Sequence, residues 1–140
     1  MLFQRNHAIG LGYQHLSGDS NFAFLNNGGG STAYLITDSQ IGKFERAGEN
    51  TWVGQYSYDF ADYVPGLKFS AKYLRGNNID TVAANAGDKE WERDLRLDYT
   101  LQSGMFKDLG VSVRHASLRS DAATDEDQLR VYLTYNFVLL

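Results

Sequence analysis

Five basic residues stand out for what they could do together: Lys68, Lys72, Arg96, Arg114 and Arg130. A guanidinium offers a rigid fork of donors that grips a carboxylate bidentately, and an ammonium is a compact point charge. Lined along a passage, such groups would form a basic ladder and set the passage's ion preference. A bracing role competes with this one. Asp59, Asp94 and Asp98 share the parity of the basic residues, and pairing across strands would turn both sets into struts of a wall. A second candidate group is Asp38 with Ser39, in a long connection, where they would face the amino end of a solute.

Other chemistry finds little support. The chain has no G-x-S-x-G and no H-E-x-x-H, and His7, His15 and His115 lack any partner spacing. Gly28-Gly29-Gly30 precedes no GK[ST] and so is not a phosphate loop. Asp121, Asp125, Glu126 and Asp127 lack the ligand spacing of a calcium loop and read as solvated charge. Cysteine is absent, which removes disulfides and thiolate zinc sites. The net charge of −4 argues against a nucleic-acid partner. No enzyme, cofactor or metal is expected.

The elements that must carry the basic set are strands. Leu95, Leu97, Tyr99 and Leu101 alternate with Asp94, Arg96, Asp98, Thr100 and Gln102, a period of two that no helix produces. The final segment repeats it. Leu129, Val131, Leu133, Tyr135, Phe137 and Leu139 fall on one face, against Gln128, Arg130, Thr134 and Asn136, with Tyr132 among the polar set. Trp52, Tyr56, Tyr58 and Phe60 oppose Gln55, Ser57 and Asp59, and Leu67, Phe69, Ala71 and Tyr73 oppose Lys68, Ser70 and Lys72. Weaker alternation runs through His7–Leu16 and Leu109–Leu118. Six strands result, each about ten residues long, the length at which a tilted strand crosses a bilayer.

Connections alternate in length. Ser17–Asn50 and Gly76–Glu90 are long, Ala61–Gly66 and Ser103–Asp108 short, and Arg119–Glu126 intermediate. Val64-Pro65-Gly66 is a turn signature. Short turns on one side and long loops on the other make the antiparallel meander of an outer-membrane barrel, with the C-terminus on the periplasmic side. The connection 17–50 exceeds the ~15 residues beyond which loops are usually functional or disordered. Its apolar residues Phe22, Phe24, Leu25, Tyr34, Leu35 and Ile36 suit packing inside a lumen or a flap over the mouth.

A soluble ligand-binding barrel also alternates, with its apolar face inward. Long strands and aromatic residues near strand ends (Trp52, Tyr58, Phe60, Tyr73, Trp91, Tyr135, Phe137) favour the membrane. A mean hydropathy of −0.39 is compatible with a barrel. A six-strand barrel would be narrower than the ~8-strand size whose interior is just filled by side chains, and an open sheet would bare its edges to lipid. Residues 1–140 therefore read as one partial domain, the C-terminal part of a larger barrel. Strands and leader are expected upstream, since Met1-Leu2-Phe3-Gln4-Arg5-Asn6 shows no signal-peptide pattern.

Several ordered segments resemble the OprD family of substrate-specific porins. They are Ser17-Gly18-Asp19, Arg46–Trp52, Val64–Leu67, Tyr73–Asp80, Lys89–Asp94, Leu101–Gly104, Lys107–Gly110 and Leu129–Tyr132. The resemblance covers nearly the whole chain and implies the last third of a barrel of roughly eighteen strands. It implies a passive channel in the bacterial outer membrane for small anionic or zwitterionic solutes bearing carboxylates: basic amino acids, peptides, aromatic acids. It further implies a lumenal basic ladder that includes Arg114 and Arg130, and constriction by inward-folded loops. Outer-membrane lipid, lipopolysaccharide and the barrel-assembly machinery would be its partners. Segments Ser17–Asn50 and Thr81–Asp88 match poorly. A structural or adhesion barrel without transport is the alternative.

Overall fold

In a computed structural model, residues 2–22, 35–80 and 88–135 are described. The expectations on Phe24, Leu25, Gly28-Gly29-Gly30, Tyr34, Phe137 and Leu139 lie outside them. The six expected strands are present: β2 (His7–His15), β3 (Asn50–Asp59), β4 (Leu67–Asn77), β5 (Glu90–Thr100), β6 (Leu109–Ser120) and β7 (Glu126–Tyr135). A three-residue strand, β1 (Leu2–Gln4), precedes them. All seven pair antiparallel in chain order in a single sheet.

Tight connections gather at one end. The turn at residues 60–66 relies on Gly66, whose φ is +90°; a Cβ there would lie 2.3 Å from the Thr100 carbonyl oxygen of the next hairpin. The Thr100 amide donates to the Gly66 carbonyl at 3.0 Å, tying neighbouring hairpins together. The opposite end carries connections 16–49, 78–89 and 121–125.

Alternation separates the faces as the sequence pattern requires. Leu11 (84% exposed), Val131 (62%) and Leu133 (73%) stand on one face, with Ile9, Trp52, Tyr56, Leu97 and Leu129 also exposed there. In water so broad an apolar surface would be a liability. The core lies on the other face, where Phe44 of the long connection packs with Val53, Leu74 and Leu118 of three strands, flanked by Ile41. A soluble barrel of this sequence would bury the apolar face; here the polar face is the covered one.

Candidate functional site

Register decides which polar side chains meet. Ser70 on β4 lies opposite Arg96, Arg96 opposite Arg114, and Arg114 opposite Arg130. Three arginines thus form one lateral row across β5, β6 and β7. Like charges directly opposite one another destabilise a sheet, so each needs a counter-group. Arg96 Nε reaches Asp98 at 2.6 Å. Arg114 Nε donates to the Ser112 hydroxyl at 3.3 Å, and its guanidinium sits 4.6 Å from the Tyr132 ring centroid. Arg130 donates to the Gln40 carbonyl at 3.0 Å and to Gln128 Oε1.

The two lysines occupy the rows on either side. Lys72 pairs in register with Gln55 and Asp94, and its Nζ donates to the carbonyls of Asp38 (2.6 Å) and Ile36 (3.1 Å). Lys68 lies between Asp59 and Asp98 and meets Asp59 at 3.1 Å in an exposed pair. The expected choice between ladder and brace therefore divides by residue. Lys72 and Arg130 hold backbone of the long connection, Lys68 holds a carboxylate, and Arg96 and Arg114 keep donors free toward open space.

That space has two parts. A hollow of about 480 Å³ lies between Asp38, Ser39 and Gln40 on one side and Lys72, Arg96, Arg114 and Arg130 on the other. A wider hollow of about 740 Å³ continues toward the tight-turn end past Lys68, Asp98 and Tyr132, and Arg96 and Arg114 line this one as well. Arg96 and Arg114 are thus shared by the two hollows, and Arg130 lines the first alone.

Segment 35–49 lies against the polar face because acceptors there match its backbone. Glu92 on β5 is wholly buried. Its carboxylate accepts from the amides of Ile41 (2.8 Å) and Gly42 (2.6 Å), and lies 2.9 Å from the Ser39 hydroxyl. That hydroxyl is also 2.6 Å from the Gly42 carbonyl and has one proton to offer, so Ser39 is an anchor of its own segment. The Gln40 amide donates to Asp94 at 3.2 Å, and the Gln14 side-chain amide to Thr37 Oγ1 and to the Phe44 carbonyl, both at 3.1 Å.

Glu49 closes the far end of the segment. It is buried, accepting from the Arg46 amide and the Thr51 hydroxyl, each at 3.1 Å. Its Oε1 occupies the place a side chain would take at Gly76: a Cβ there would stand 2.0 Å away. Burial, then the nearby charge of Glu90, push the Glu49 carboxyl up to about 7 against the opposing hydrogen bonds from Arg46 and Thr51.

Glu92 and Glu49 lie in two of the segments that carry the family resemblance, 89–94 and 46–52, but neither matches a catalytic or ligand motif and neither belongs to the basic set. One signal was available. Glu90, Glu92 and Asp94 put three carboxylates at alternate positions on one strand face, and Glu92 has Leu74 and Leu118 beside it in register. Acids so placed need donors from elsewhere in the fold.

Comparison with known proteins places these features. The model for the outer membrane porin, OprD family, matches residues 2–139. Porin D of Pseudomonas aeruginosa is 31% identical over 156 residues, covering 96% of this chain and 35% of that protein. The crystal structure of P. aeruginosa OccK8 (OprE) superposes with a TM-score of 0.86 at 53% identity, over 96% of this chain and 33% of that one. P. aeruginosa OpdK, crystallised with vanillate, is 38% identical with a TM-score of 0.83, over 93% of this chain and 34% of that one. The chain thus spans about a third of the length of these relatives.

Proposed function

This chain belongs to the OprD family of outer membrane porins, and we propose that its polar face forms wall and constriction of an aqueous pore for small carboxylate-bearing solutes. In this reading the apolar face lies in outer-membrane lipid, and the end bearing 16–49, 78–89 and 121–125 faces outward. The observation that carries it is the position of Arg96 and Arg114, which line both hollows at their junction. A solute moving along this wall must pass them.

A carboxylate entering from the long-loop end meets guanidiniums whose remaining donors point into open space. Low-dielectric walls strengthen the field of such fixed charges and raise the local concentration of anions. The segment bearing Asp38 borders the upper hollow, and in this reading its carboxylate would meet the amino end of a zwitterion. Ser39 plays its part there by anchoring the segment. Basic amino acids, peptides and aromatic acids are the solutes that fit this polarity; vanillate, the molecule bound to OpdK, is an aromatic carboxylate.

Planar-bilayer recording of the complete barrel tests the reading. Discrete open-channel currents with anion preference are expected. The Arg96→Gln, Arg114→Gln double variant should shift the reversal potential toward cations and slow uptake of carboxylates. Each lost contact is worth about 1.5–3 kcal/mol if dry and less if wet. The shift should shrink with salt, as the Debye length falls from ~10 Å at 0.1 M to ~3 Å at 1 M. An assembled double variant with unchanged reversal potential and uptake would reduce the row to a brace. Absence of any current from the assembled barrel would favour a structural or adhesion role.

A further inference from the structure

The apolar face ends, toward the long loops, in a block of four residues on two strands: Tyr73 and Arg75 of β4, Trp91 and Arg93 of β5. Tyr73 lies opposite Arg93 and Arg75 opposite Trp91. The two rings take one diagonal of the block and stack, with centroids 6.1 Å apart and planes 28° from parallel. The two arginines take the other diagonal, on backbone positions ~7–8 Å apart. Trp52 stands beside Arg75 in register and packs on Tyr13 at 4.8 Å.

Arg75 and Arg93 are exposed and have no ion-pair or hydrogen-bond partner among the described residues. A third outward arginine, Arg119, shows what satisfaction looks like on this face. It lies beside Trp91 in register, and its guanidinium meets Asp127 at 2.8 Å and Asp125 at 3.7 Å. Below the block, the rows containing Leu95, Leu97 and Tyr99 pass through Ala71, Phe69 and Leu67 on one side and His115, Val113 and Val111 on the other, so that His115 is the one ionisable side chain other than tyrosine there and no Lys, Arg, Asp or Glu is among them. The block therefore stands at the edge of the apolar band.

We propose that the Tyr73–Arg75–Trp91–Arg93 block binds the phosphorylated sugar headgroup of a glycolipid in the outer leaflet. Two unpaired forks suit a doubly charged phosphate monoester, which offers three acceptor oxygens. The stacked rings offer an amphipathic surface at headgroup depth, where Trp and Tyr concentrate in membrane proteins. Charge complementarity selects an anionic headgroup, and the flat aromatic pair suits a sugar ring above an acyl chain. This site rests on the proposed orientation, with the long loops outward.

The test measures lipid retained by the complete, detergent-purified barrel after mixing with lipopolysaccharide, the same glycolipid with its phosphates enzymatically removed, or phosphatidylglycerol. Intact lipopolysaccharide should be retained about 10-fold over the dephosphorylated form, the scale of one or two charge-assisted contacts. The Arg75→Gln, Arg93→Gln variant should abolish that preference, and Arg119→Gln should leave it in place. Replacing both by Lys keeps the charge without the fork and should restore part of it. Heat-modifiable mobility verifies assembly of each variant.

Undiminished retention by the double Gln variant overturns the site. Equal retention of phosphatidylglycerol overturns the glycolipid assignment. Bilayer recordings on the same samples keep the channel reading separate: loss of lipid with anion-selective currents intact supports the site alone. Retained lipid preference without currents would overturn the channel and leave the site.

Discussion

Toward the long-loop end, the polar face is acidic and covered. Glu90 and Glu92 lie under or beside segment 35–49, Glu49 ends it, and Phe44 seals Val53, Leu74 and Leu118. Nearer the tight turns the same face is basic and open, with Arg96, Arg114 and Arg130 in a row. The two regions share strands and a single alternation. They differ in where the counter-groups come from. In the covered region, segment backbone amides meet Glu92 and Glu49, and the Ser120 hydroxyl with the Arg46 guanidinium meets Glu90. In the open region, the three guanidiniums draw on side chains of their own strands and on one carbonyl of the segment: Asp98, Ser112, Gln128 and the Gln40 carbonyl.

The sharpest way to break the comparison is to remove the acid that holds the cover. Glu92→Ala deletes the acceptor of the Ile41 and Gly42 amides. Two charge-assisted bonds at about 1.5–3 kcal/mol each exceed what the segment would recover from water. Protease should cut within 35–49 and open-channel current should rise; an uncut variant with unchanged current would show that the apolar cluster alone seats the segment.

Acidity gives the next effect. Glu49 sits near 7 instead of its ordinary 4.5, so the fold holds its proton more tightly than the unfolded chain does. Its contribution is complete below about 4.5 and is lost as pH climbs through about 7. Protection of the amides in 44–49, taken relative to the intrinsic exchange rate at each pH, should therefore fall from pH 5 to pH 8, and Glu49→Gln should flatten that fall. A dependence of equal size in the Gln variant would assign it to another group.

Gly76→Ala attacks the same contact from the strand. The new methyl would displace Glu49 Oε1 at a cost of about 1–3 kcal/mol, the range for overpacking. Faster exchange confined to 44–51 is expected, and protection equal to the parent would show that the carboxylate swings aside freely. The smallest effect belongs to the open region. Lys68→Gln removes an exposed pair with Asp59 worth about 0–1 kcal/mol. Stability should hold within error, and a larger loss would mean that Lys68 also offsets Asp98.

Much of this was legible before any coordinates. Period two assigns Arg96, Arg114 and Arg130 to one face and Leu97, Val113 and Val131 to the other, because successive strand side chains point oppositely whatever the neighbours are. The turn at Val64-Pro65-Gly66 and the alternation of short and long connections were equally local. What parity cannot supply is register. That Arg96, Arg114 and Arg130 stand abreast, rather than stepped along the pore, depends on how many residues each turn consumes and which hydrogen bonds close first.

The cover lay further out of reach. Asp38 and Ser39 stand out in the sequence for their polar side chains, yet the groups that seat the segment include the carbonyls of Ile36, Asp38 and Gln40 and the amides of Ile41 and Gly42. Every residue but proline carries such groups, so composition says nothing of where they will bind. Glu92 became an anchor, and Ser39 lost its hydroxyl to that anchor, only when the chain between β2 and β3 lay down across β5. Local sequence determined the faces of this sheet; long-range contact decided which part of the polar face was covered and which stayed open.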